Sequence, residues 1–113
     1  MNPPAGPSSP LPPQQAYFVY ILRCADGSYY VGHATDVPER VNLHNAGRAA
    51  AWTATRRPIT LAYSEPAASL AAAMRRERQL KGWTRAKKEA LIRGNKVELQ
   101  RLSRAHAQNV PPD

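Results

Sequence analysis

Two tyrosines, Tyr20 and Tyr30, stand ten residues apart, Arg40 and His44 are four apart, and one glutamate, Glu77, falls inside an otherwise apolar helical stripe. Each type carries chemistry. With Leu70 at zero and about 100° per residue, Glu77 lies near 340°, flanked by Ala73 near 300°, Lys81 near 20° and Met74 near 40°. An unpaired carboxylate is costly in such a stripe, so it needs a partner. One reading is an ion pair with an arginine. The other is a metal ligand, since a hard carboxylate oxygen, waters and a substrate phosphate suffice for Mg²⁺.

Hairpin register decides whether the tyrosines share a face. The run Tyr17-Phe18-Val19-Tyr20-Ile21-Leu22-Arg23 and the run Ser28-Tyr29-Tyr30-Val31-Gly32 flank Ala25-Asp26-Gly27. A two-residue Asp26-Gly27 turn pairs Tyr20 with His33 and puts Tyr20 and Tyr30 on opposite faces. A three-residue loop with Gly27 in the left-handed position pairs Tyr20 with Gly32 and Leu22 with Tyr30, and both phenols then share one cleft. Arg40 and His44 belong to a helix that begins at Asp36, where Asp36 and Glu39 form a capping-box variant with Pro38 in the first turn, and stops at Gly47. Four apart, the two side chains project together.

The remaining elements frame this set. After a loop of small and basic residues, Ile59 to Tyr63 alternates as a third strand, and a long helix is expected from Pro66 to about Lys81. Further helices are expected from Thr84 to Arg93, closed by Gly94, and from Asn95 to about Ala105. The order β-β-α-β-α-α-α predicts an α+β domain, a small three-stranded, mainly antiparallel sheet flanked by helices. Residues 1 to 15 hold six of the eleven prolines and no charged side chain, which predicts a disordered tail. The folded unit is expected over 16 to 105, with a flexible end over 106 to 113.

Composition limits the partners. The 113 residues suffice for one domain, and 16 Lys and Arg against 8 Asp and Glu give a net charge of +8. That excess points to a polyanion. The lone Cys24 rules out an intrachain disulfide and makes a cytoplasmic setting the default; no apolar run is long enough for a membrane span, and no signal peptide is apparent. From Arg75 to Arg104, eleven Lys or Arg face three Glu, so Arg76, Lys81, Arg85, Lys87 and Lys88 are candidate phosphate contacts. Arg48, Arg56 and Arg57 near Trp52 form a second basic loop with an aromatic, suited to a nucleic-acid backbone or an unstacked base. Trp52 and Trp83 are equally compatible with core positions, a reading that suits Trp83 better.

Phe18-Val19-Tyr20, Tyr30-Val31-Gly32, Arg40 with His44, and Glu77, in this order and spacing, resemble the GIY-YIG endonuclease superfamily in its small single-domain bacterial form. The resemblance covers about Tyr17 to Ile92. It implies that Tyr20 and Tyr30 line the site and that one of them deprotonates or positions the attacking water. It implies further that Arg40 contacts the scissile phosphate and that Glu77 holds a single Mg²⁺ or Mn²⁺. His44 matches a histidine of many members. His33 stands where repair-type members often carry lysine, and its imidazole would assist a tyrosine or bind phosphate. Phe18 replaces the name-giving glycine, and Asn95 is a candidate for an asparagine that many members carry beyond the metal helix.

Together these readings imply a metal-dependent endonuclease acting on branched, damaged or otherwise structured DNA, with RNA left open. A second reading is a nucleic-acid binding module that keeps the fold without cutting. The intact set of Tyr20, Tyr30, Arg40 and Glu77 favours the first; a ribosome- or RNA-associated protein would explain only the charge.

Overall fold

A computed structural model describes residues 16 to 109, so the expected N-terminal tail and residues 110 to 113 lie outside the described residues. Strand β1 (Tyr17–Arg23) and strand β2 (Tyr29–Ala34) form an antiparallel hairpin, followed by helices α1 (Val37–Asn45) and α2 (Ala51–Ala54). Strand β3 (Thr60–Ala67) then precedes helices α3 (Leu70–Lys81), α4 (Arg85–Arg93) and α5 (Lys96–Asn109). The three strands form one antiparallel sheet in the order β2-β1-β3. This is the expected α+β class.

The hairpin takes the three-residue register. Tyr20 pairs with Gly32 and Leu22 with Tyr30, the Cys24 amide donates to the Ser28 carbonyl at 2.9 Å, and Gly27 closes the loop at φ 86°. Only glycine adopts that left-handed conformation without steric cost. Because β1 is central, both of its faces are covered, which explains its nearly continuous apolar run. Tyr20, Leu22 and Cys24 pack with Ala34, Val37 and Ile59 on one face, and Val19, Ile21 and Val31 pack with Ala73 and Leu80 of α3 on the other.

Caps set the helix starts as expected. Asp36 accepts the Glu39 amide at 3.0 Å, Thr84 accepts the Lys87 amide at 3.2 Å, and Asn95 accepts the Glu98 amide at 3.0 Å. Four expectations need correction. Strand β3 runs on to Ala67, with Pro66 paired to Phe18, and α3 begins only after its Ser69 cap. Proline is tolerated there because β3 is an edge strand and needs no second row of ladder bonds. The stretch read as a loop contains α2. Leu70 and Met74 are 44% and 47% exposed, so the buried stripe of α3 is centred on Ala73 and Leu80, with Glu77 at its margin. Finally, α5 continues to Asn109, past the expected end at Ala105, because no breaker occurs before Pro111.

Candidate active site

A cleft of about 350 Å³ opens over the free edge of β2 and is lined by Tyr20, Tyr30, Gly32, His33, Arg40 and Glu77, among others. Alternation along the strands brings the groups in from two sides. Tyr20 and Tyr30 rise from the sheet face covered by α1, whereas His33 projects from the opposite face toward α3. They meet around the edge at Gly32. An ideal Cβ at Gly32 would lie 2.5 Å from the Tyr20 hydroxyl oxygen, so the ring of Tyr20 crosses β2 where β2 has no side chain. Gly32→Ala is expected to displace Tyr20, lower stability by about 1 to 3 kcal/mol and depress activity. A melting curve and a nuclease assay check it, and an unchanged Tyr20 environment would contradict it.

Behind Tyr20 lies a buried polar chain. The Tyr20 hydroxyl is 3.1 Å from His44 Nε2, His44 Nδ1 is 2.7 Å from Thr53 Oγ1, and that hydroxyl donates to the Ala50 carbonyl at 3.1 Å. The directions follow. Thr53 has given its proton to Ala50, so it accepts from His44 Nδ1–H, which leaves Nε2 bare to accept from Tyr20. Burial pushes the Tyr20 pKa up to about 12 despite the opposing charge of Arg40. Burial, and then Arg40, push His44 down, which favours the neutral imidazole. His44 is 1% exposed and stands behind the cleft rather than projecting beside Arg40. Sequence reasoning missed Thr53, because the four-residue α2 that carries it has no periodic signal.

Glu77 has neither an arginine partner nor a bare carboxylate. His33 Nδ1 is 2.6 Å from its Oε1 and Lys81 Nζ is 2.8 Å from its Oε2. Burial alone would raise its pKa, but the hydrogen bonds and charges of Lys81 and His33 outweigh that and hold it below the ordinary carboxylate value. Glu77 is therefore ionised at neutral pH. His33 thus hydrogen-bonds the carboxylate, and among the described residues it has no side-chain hydrogen bond to either tyrosine hydroxyl. Arg40 is half-buried, with Nη1 3.5 Å from the His33 carbonyl, and no carboxylate pairs with it among the described residues. Its guanidinium is available to an anion.

No group of three or more His, Cys, Asp or Glu gathers among the described residues, so the protein supplies no complete cage for a metal. The donor set still suits Mg²⁺, which keeps several waters and is commonly held by one or two carboxylates with substrate phosphate. Each Glu77 oxygen retains acceptor capacity beyond its single present bond.

The expected phosphate contacts divide. Lys88 and Arg56 are half-buried, with Arg56 paired to Asp26 at 3.3 Å, Arg48 is exposed, and Lys81 is tied to Glu77. Arg57 is exposed but clamps the loop, donating to the Ala54 and Asn45 carbonyls at 2.9 and 3.2 Å. Arg85 pairs with Glu89. Two others are engaged within the fold: Arg76 is held by both oxygens of Glu65, and Lys87 is 7% exposed with its ammonium 4.4 Å from the Trp83 ring centre. Asn95 caps α5 and takes no part in the cleft. Among the described residues, no helix is long and apolar enough to cross a membrane.

An α+β domain with two tyrosines, an unpaired arginine and one ionised carboxylate around a sheet-edge cleft has the constellation of a phosphodiester-cleaving nuclease domain. The family model of the GIY-YIG catalytic domain matches residues 16–90, and the chain belongs to this family. It is 49% identical over 76 residues to a UPF0213 protein of Halobacterium salinarum, covering 67% of this chain and 99% of that protein. A UPF0213 protein of Staphylococcus aureus is 46% identical over 78 residues, covering 69% of this chain and 95% of that protein. The solution NMR structure of a UPF0213 protein from Bacillus halodurans is 40% identical, with a TM-score of 0.47 over 71% of this chain and 85% of that one.

Proposed function

We propose that this protein is a metal-dependent endonuclease that hydrolyses phosphodiester bonds in branched, damaged or otherwise structured DNA. The observation that carries this reading is the pairing, in one cleft, of an Arg40 guanidinium without a carboxylate partner and an ionised Glu77. Phosphodiester hydrolysis needs an activated water, positive charge around the phosphorus centre and help for the leaving oxygen. Arg40 binds the scissile phosphate. Glu77, oriented by His33 and Lys81, holds Mg²⁺ or Mn²⁺, which when bound supplies Lewis-acid stabilisation of the phosphate charge.

Tyr20 positions the attacking water and takes its proton as its own passes to His44 Nε2. That transfer suits the geometry, because His44 is neutral and oriented by Thr53. Tyr30 lines the cleft from the same sheet face, its ring 5.1 Å from that of His44. Incubation with plasmid, branched, single-stranded and RNA substrates, with and without Mg²⁺, tests the reading. DNA cleavage only with the metal is expected. DNA binding without cleavage on every substrate would replace it by a binding module.

Charge on the protein also predicts a salt response. Among the described residues five basic side chains, Arg56, Arg76, Lys81, Arg85 and Arg101, are paired with acids, which leaves the response to fewer cations than the 16 Lys and Arg of the sequence suggest. DNA affinity is expected to fall about ten- to a hundredfold between about 50 and 200 mM salt, the change for roughly two to four neutralised phosphates. Fluorescence anisotropy over that range checks it, and a flat response would contradict it.

A further inference from the structure

A second hollow, of about 200 Å³, adjoins the cleft and is lined by Tyr29, Tyr30, Val31, Trp52, Lys81 and Lys88. Tyr30 borders both spaces and Lys81 of this hollow reaches Glu77 of the cleft, so the two lie side by side. Trp52 is 39% exposed, and its ring is stacked with that of Tyr30 at 6.1 Å and 25°. The Arg56 guanidinium lies 3.9 Å from the Trp52 ring centre and is fixed by the Trp52 carbonyl at 2.7 Å and by Asp26 at 3.3 Å. Arg56, Trp52 and Tyr30 are thus three planar groups in successive contact, the last of which lines the cleft. A tryptophan serving only to shield His44 and Thr53 would be buried. This one keeps more than a third of its surface in solvent beside two lysines.

We infer that this hollow is a nucleotide subsite, in which the base next to the scissile phosphate stacks against Trp52 and Tyr30 while the adjoining phosphate meets Lys81 and Lys88. The chemistry sets the substrate class. A base can enter a space walled by aromatic rings only if it is unpaired and unstacked, so the strand is recognised where it is single-stranded next to the cut. Base stacking on an aromatic ring is tolerant of sequence, so the subsite reads strandedness and not base identity. The inference rests on the proposed nuclease reading for the position of the cut, but its test does not.

The experiment measures binding with a chelator present and no divalent metal, using a fluorescein-labelled single strand, the same sequence as a blunt duplex, and a single strand carrying 2-aminopurine. The intact protein is expected to favour the single strand and to change the 2-aminopurine emission. Trp52→Ala should weaken single-strand binding about five- to a hundredfold and leave duplex binding within about twofold, so that the preference disappears. Trp52→Phe should restore most of it. If the alanine variant unfolds, Trp52→Leu, which keeps bulk without a π face, takes its place against Trp52→Phe. Equal loss on both substrates, no loss on either, or a phenylalanine variant no better than the aliphatic one would overturn the inference. A protein that binds single strands through Trp52 yet never cuts with Mg²⁺ keeps the subsite and refutes the nuclease; cutting that is indifferent to Trp52 does the reverse.

Discussion

Glu77→Gln is expected to yield a folded protein that still binds DNA and cuts it at least about a hundredfold more slowly. The substitution preserves size and hydrogen-bonding capacity but removes the charge that Mg²⁺ requires. Stability should fall modestly. The folded environment holds the Glu77 pKa below its ordinary 4.5, because Lys81 and His33 more than offset its burial. A depressed folded-state pKa contributes stability above the ordinary value, and that contribution is lost as pH falls through the folded-state value. The parent should therefore lose stability in acid through this window, whereas Glu77→Gln should lack that component. Melting temperature against pH, DNA affinity and Mg²⁺-dependent cleavage measured together separate the roles. Cleavage at the parent rate with lowered stability would make Glu77 only an ion-pair partner of His33 and Lys81.

Local rules made much of this architecture legible in advance. The hairpin register follows from loop length and a glycine at the left-handed position, and the starts of α1, α4 and α5 follow from Asp36, Thr84 and Asn95 as caps. Tertiary decisions were less visible. Pro66 is as compatible with a helix start as with an edge strand, and only its pairing with Phe18 selects the strand. Helical angles placed Glu77 in the middle of the apolar stripe of α3, but Leu70 and Met74 on that stripe are 44% and 47% exposed, so apolar type and burial diverge there. The acid groups that neutralise much of the basic cluster come partly from outside it: Glu65 of β3 claims Arg76, which no spacing along α3 reveals. His44 was legible as a polar neighbour of Arg40 on α1. Its partner Thr53 was not, because that contact exists only once α2 folds over the sheet face that carries Tyr20.

That buried contact chain makes Tyr20→Phe the sharpest test of which phenol serves the water. Removing the hydroxyl leaves His44 Nε2 without its donor in a buried site, which should cost about 1 to 3 kcal/mol, readable as a lower melting temperature. Cleavage should fall by about a hundredfold or more, because the variant can neither hold the water nor pass a proton to His44. A phenol pushed up to about 12 remains protonated throughout the neutral range, so it acts as a base only by shedding its proton to a neighbour in the same step. His44 is that neighbour, 3.1 Å away, neutral and fixed by Thr53. Tyr30 touches the His44 ring in an edge-on arrangement and has no hydrogen bond to either imidazole nitrogen among the described residues. Single-turnover cleavage of one DNA substrate by the parent and by Tyr20→Phe, well below both melting temperatures, keeps the stability cost out of the rate. Should the variant cut within about threefold of the parent, the Tyr20–His44–Thr53 chain is scaffold and the water is served from the Tyr30 side of the cleft.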